Sequence, residues 1–109
     1  MNNNEFEKGK KFSYNNSIAY ADKAVVSKHV LKTETGNISL FAFDQGEGLS
    51  EHTAPFDAVV YIVDGKADIL INGESNVLEA GETIIMPANI PHALTAIEKF
   101  KMVLTMIKK

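Results

Sequence analysis

Apolar residues recur along this chain in short runs with a period of two, and turn-forming residues separate the runs. The run from Val25 to Leu31 reads as a first strand, closed by the polar stretch Thr33-Glu-Thr-Gly-Asn37. Ile38–Phe43 follows, with Ile38, Leu40 and Ala42 on the face expected to look into the protein and Phe41 and Phe43 on the other. A strand apolar on both faces must be covered on both. Asp44–Gly48 is a turn cluster. Further strands are expected at Ala58–Val63, Ala67–Ile71, Asn76–Leu78, Thr83–Met86, His92–Ile97 and Phe100–Ile107. Asp64-Gly65 and Asn72-Gly73 lie between such runs and are strong hairpin signals. With no usable helical-period segment, the pattern predicts an all-β sandwich or barrel.

Composition narrows the setting. At 109 residues the chain fits one domain. We expect residues 17–109 to form the barrel and residues 1–16, Asn-rich and polar, to form a flexible arm. The alternative is that Phe6, Phe12 and Tyr14 dock that arm on the barrel or on a second subunit. Ser17 to Asp22 is compatible with one helical turn or a short strand. A net charge of −3 gives no basic field, so neither nucleic acid nor a membrane surface is expected as a partner. The absence of cysteine excludes disulfides and thiolate metal sites. No apolar run approaches the ~18 residues of a membrane span, and a cytoplasmic location is expected.

Two stretches carry candidate chemistry. In the first, Gly46 is followed after five residues by His52, then Ala54, Ala58 and, after six more, Gly65. In the second, Gly81 is followed after five residues by Pro87, then Asn89 and His92. The spacing resembles the two motifs of the cupin superfamily, Gly-x5-His-x-His-x3–4-Glu-x6-Gly and Gly-x5-Pro-x-Gly-x2-His-x3-Asn. More narrowly, the chain resembles small single-domain bacterial cupins of unassigned function. The resemblance covers Gly46 to Ala96 and implies a double-stranded β-helix, the jelly-roll barrel of that family. It also implies a divalent metal held by three histidines and a glutamate. Here His52 and His92 stand at two of those ligand positions, Ala54 at the second histidine and Ala58 at the glutamate. Asn89 replaces a glycine and Ala96 the final asparagine.

Strand alternation independently turns Ala54, Ala58, Val60 and Ile62 to the same side as His52, and Asp57, Val59, Tyr61 and Val63 to the other. A one-residue bulge at Pro55 would reverse this and bring Asp57 inward. Two imidazoles are too few for a catalytic zinc or non-haem iron site, which uses three protein ligands. His52 and His92 are therefore a satisfied or water-bridged pair, an incomplete site for a divalent transition metal (Zn, Fe, Mn or Ni), or an acid–base group without metal. The alanines leave a lumen suited to a small organic ligand, with His52, Ala54, Ala58, Val60, Met86, His92 and Leu94 as its candidate contacts. The competing expectation is that Phe56, Met86 or Leu94 fills the space. His29, Glu47 and Glu51 are expected at the surface.

The resulting expectation is a barrel that binds a small molecule without catalysis. The alternative is a metal-dependent enzyme of the dioxygenase or isomerase type working through His52 and His92. Val59, Tyr61 and Val63, with Phe41 and Phe43, form an outward apolar stripe that must be covered. A homodimer is the expected cover.

Overall fold

The computed structural model describes residues 6–108. Among them are nine strands and no helix: β1 (Val25–Thr33), β2 (Gly36–Phe43), β3 (Gly48–His52), β4 (Ala58–Asp64), β5 (Lys66–Ile71), β6 (Glu74–Glu79), β7 (Thr83–Met86), β8 (His92–Ala96) and β9 (Phe100–Ile107). They form two antiparallel sheets, ordered β1-β2-β9-β4-β7 and β3-β8-β5-β6. This is the expected all-β double-stranded β-helix. No helix among the described residues is long and apolar enough to cross a membrane.

The core lies between the sheets. Phe43, Val60, Ile62, Ile69, Phe100 and Met102 are fully buried there. Phe43 and Phe100 stack with ring centroids 4.5 Å apart and planes within 5°. Each such side chain contributes roughly 1.5–3 kcal/mol by leaving water.

Only one of the two glycine turn signals makes a hairpin. Asn72 and Gly73 both have positive φ (52° and 81°), which a type I′ turn between paired strands requires, and β5 pairs with β6. Asp64-Gly65 instead marks the corner where the chain leaves the first sheet for the second, since β4 pairs with β7 and β9 and not with β5. Gly65 is required there twice over. Its φ is +83°, and a Cβ would overlap the carbonyl oxygen of Lys99.

The assignment of faces on β2 is corrected. Phe43 belongs to the inter-sheet core and Phe41 packs against it, so both look inward. Leu40 and Ala42 look outward and are buried beneath the chain's own N-terminal segment, in a cluster with Ile18 and Val103. Phe6, Tyr14, Tyr20, Val26, Val30, Ile38 and Val63 pack around that cluster. Period two gave the alternation correctly, but a strand apolar on both faces does not reveal which face is the core.

Residues 6–24 thus lie along the outer face of the five-stranded sheet, while residues 1–5 of the expected arm fall outside the described residues. Ser17 to Asp22 is neither helix nor strand. Polar anchors fix this segment. The ammonium of buried Lys101 donates to the Asn15 carbonyl at 2.7 Å, and Lys28 donates to the Ser17 carbonyl at 2.7 Å. The Tyr20 hydroxyl donates to Asp64 at 2.6 Å. Burial first, and the Asp64 carboxylate second, push that hydroxyl well above its ordinary pKa, so it stays protonated and remains a donor. Of the stripe that predicted a homodimer, Phe41 and Phe43 thus face the core and Val63 packs against the N-terminal cluster. Tyr61 and Ile85 remain exposed.

Candidate functional site: a histidine-rimmed barrel cavity

His52 ends β3, His92 opens β8, and the two are direct cross-strand partners. Between Leu49 and His52 the register shifts, so three steps on β3 oppose two on β8. Such a bulge turns Leu49 and His52 to the same side although their spacing is odd. Both then face the cavity, which strict alternation along β3 forbids.

Two loops close around this end. The backbone N–H of Asn89 donates to the Ala54 carbonyl at 2.7 Å, and that of Ala88 donates to the Asp57 carboxylate at 2.8 Å. Asn89 has φ +64°, a conformation Asn tolerates better than most residues, so it can stand where the resemblance places a glycine. Asp57 is exposed and serves these loops, while Ala58 is buried and looks inward. The bulge that would have turned Asp57 inward is absent.

The cavity has a volume of about 310 Å³. Of the residues expected there, His52, Ala54, Ala58, Met86, His92 and Leu94 line it. Val60 does not. It is buried deeper in the inter-sheet core, paired with Leu104 and Ile84. Neither Met86 nor Leu94 fills the space, and Phe56 lies outside it, its ring 5.5 Å from the Lys108 ammonium. Sequence reasoning missed Phe41, Leu49, Met102, Leu104 and Met106, which form the rest of the wall. The even-numbered alternation Phe100, Met102, Leu104, Met106 along β9 was the available signal. Met86 and Met106 flank Ala58 as its partners on the neighbouring strands. A larger open cleft, about 530 Å³, lies outside the barrel beside Lys10, Lys11 and Lys28.

The rings of His52 and His92 meet edge to face, with centroids 4.4 Å apart. Nδ1 of His52 donates to the Ser50 carbonyl at 2.7 Å, and Nδ1 of His92 to the Ile90 carbonyl at 3.2 Å. A carbonyl can only accept, so each neutral ring carries its hydrogen on Nδ1 and a lone pair on Nε2. His52 is exposed and His92 is buried. Burial lowers the His92 pKa below 6.5, the Ile90 carbonyl opposes this, and the neighbouring His52 adds to the lowering. At neutral pH His92 is an uncharged acceptor.

A divalent metal of the kind the resemblance implies does not fit this donor set. Among the described residues no group of three or more His, Asp or Glu side chains converges on one point. Ala54 and Ala58 have no donor atoms, and two neutral imidazoles fall short of the three protein ligands of a catalytic centre.

Comparison with known proteins agrees with the fold. The family model described as the cupin domain matches residues 39–108. A conserved protein of unknown function from Streptococcus pyogenes is 34% identical, with 94% of this chain and 90% of that one covered and a TM-score of 0.90. A cupin 2 conserved barrel domain protein from Leptotrichia buccalis is also 34% identical over 89% of this chain, with a TM-score of 0.86. The present chain spans about half of that protein, 47%. A cupin superfamily protein from Desulfitobacterium hafniense shares the fold at 24% identity, with 95% of each chain covered and a TM-score of 0.89. No functionally curated protein matches the chain.

Proposed function

The chain belongs to the cupin superfamily, and on that footing we propose that it binds a small organic molecule inside the barrel, without metal chemistry. The observation that carries this reading is the cavity of about 310 Å³ walled by apolar side chains and rimmed by two histidines. Its volume lies at the small end of ordinary ligand sites, which are apolar concavities with a few convergent polar groups. At the packing density of protein interiors it accommodates roughly 10–14 non-hydrogen atoms. The thioethers of Met86, Met102 and Met106 adapt to irregular shapes and make favourable contacts with aromatic rings. The metal-dependent oxygenase or isomerase mechanism needs a ligand set that Ala54 and Ala58 do not supply, so no metal-dependent step is assigned to the histidines.

Methionine-methyl NMR tests the proposal directly, because three of the four methionines line the cavity. Titration with propylbenzene, an apolar probe of suitable size, is expected to shift the methyl signals of Met86, Met102 and Met106 in a saturable way. Signals that stay fixed up to the solubility limit of the probe would overturn the reading.

A further inference from the structure

We infer that the cavity selects a neutral ligand whose polar end offers two neighbouring hydrogen-bond donors, such as the two hydroxyls of a vicinal diol or the two N–H groups of a primary amide, on an apolar body. The inference rests on the cavity being a ligand site and specifies what that site recognises.

The argument starts from the ring hydrogens. Both Nδ1 hydrogens are engaged by backbone carbonyls, those of Ser50 and Ile90. Both Nε2 lone pairs are therefore presented as acceptors, and among the described residues neither has a hydrogen-bond partner. The rings are close, with centroids 4.4 Å apart, and both line the cavity, so a ligand there has the two acceptors near the same end. A ligand offering its one donor to His52 leaves the lone pair of the buried His92 unmatched once water is displaced, and an unmatched buried acceptor costs more than a made bond gains. Two neighbouring donors satisfy both.

Charge is selected against on both sides. Among the described residues the cavity wall holds no lysine to receive a carboxylate and no carboxylate to receive an ammonium. An anionic head meets two lone pairs and a wall of Phe41, Leu49, Leu94 and methionines. Such a head loses its hydration without compensation. The same wall accepts an aliphatic or aromatic body.

Four compounds sharing one benzyl body separate the possibilities by NMR titration near neutral pH: propylbenzene, phenylpropanol, phenylpropanediol with vicinal hydroxyls, and phenylpropanoate. Phenylpropanediol is expected to bind about tenfold more tightly than propylbenzene, phenylpropanol between them, and phenylpropanoate weakest. In His52→Leu and His92→Leu the advantage of the diol over propylbenzene should vanish, while propylbenzene itself still binds. The ranking in the unmodified protein needs no variant to fold. Phenylpropanoate binding as tightly as the diol, or a diol no better than propylbenzene, overturns this inference while leaving the cavity reading intact. Failure of all four, propylbenzene included, overturns both.

Discussion

Ala58→Leu distinguishes a cavity kept for a ligand from one left by loose packing. Ala58 is buried, faces the cavity and stands between Met86 and Met106 on the flanking strands. Leucine adds three carbons, and moving them out of water stabilises the fold by at most about 2.4 kcal/mol, at ~0.8 kcal/mol per methylene-sized group. Fixing the leucine rotamer costs about 0.5–1 kcal/mol. The net expectation is a gain of about 1–2 kcal/mol, because the space already exists and no neighbour must move. For a domain of this size about 1 kcal/mol corresponds to about 4 °C in the thermal midpoint, so the rise should be about 4–8 °C. The same side chain occupies the ligand volume, so propylbenzene should no longer shift the methionine methyls.

Two assays therefore move in opposite directions, and each checks the other. Thermal or denaturant unfolding reports the gain, and the NMR titration reports the loss. Leucine destabilising the protein by more than about 1 kcal/mol, the signature of overpacking, would refute the claim of free space at Ala58. Stabilisation with undiminished propylbenzene binding would show that the probe lies elsewhere. The expected pattern is the ordinary trade between stability and function, in which a site is held at a size that packing alone would not choose.

Restoring the missing ligands should change the chemistry of the same space: Ala54→His with Ala58→Glu is expected to bind zinc or nickel far more tightly than the parent by calorimetry, and equal affinities would show that these positions do not converge with His52 and His92. The lowered pKa of His92 sets a sign for acid stability. Between 6.5 and that lowered value the unfolded chain takes up a proton that the folded chain refuses, so stability is lost as pH falls through this window and is unaffected by this group above it. Unfolding midpoints followed downward from neutral pH should drop less steeply in His92→Gln than in the parent, and parallel curves would contradict the assignment.

Much of the barrel was legible because its strands are short, alternate cleanly and are punctuated by Gly, Asn and Asp. The failures have definite physical sources. Strand β3 was overlooked because Gly48-Leu-Ser-Glu-His52 holds a single apolar residue. It is an edge strand paired only with β8, and its bulge breaks the alternation that would have betrayed it. Asp64-Gly65 looked like a hairpin because turn chemistry is local, whereas the choice between pairing and crossing to the other sheet is made by strands far away in sequence. Strand β4 pairs through Tyr61↔Val103 and Ile62↔Met102, contacts no short window can contain. The inward face of β2 was misassigned because the N-terminal segment buries the opposite face just as thoroughly.

The site divides along the same line. His52, Ala54, Ala58, Met86, His92 and Leu94 lie near motif positions or on strands whose phase one histidine sets, so their shared direction follows from period two. Phe41, Met102, Leu104 and Met106 come from β2 and β9, adjacent strands whose phase no motif anchors. What alternation could never show is the state of the rings. The acceptors that hold both Nδ1 hydrogens are backbone carbonyls, each two residues before its histidine. Every residue type supplies that atom, so Ser50 and Ile90 leave no mark in the sequence. They nevertheless turn an ambiguous histidine pair into two neighbouring acceptors. On the proposed reading the discrimination between ligands is set by the backbone, which predicts that Ser50→Ala, a substitution that keeps the carbonyl, leaves the preference for the diol unchanged.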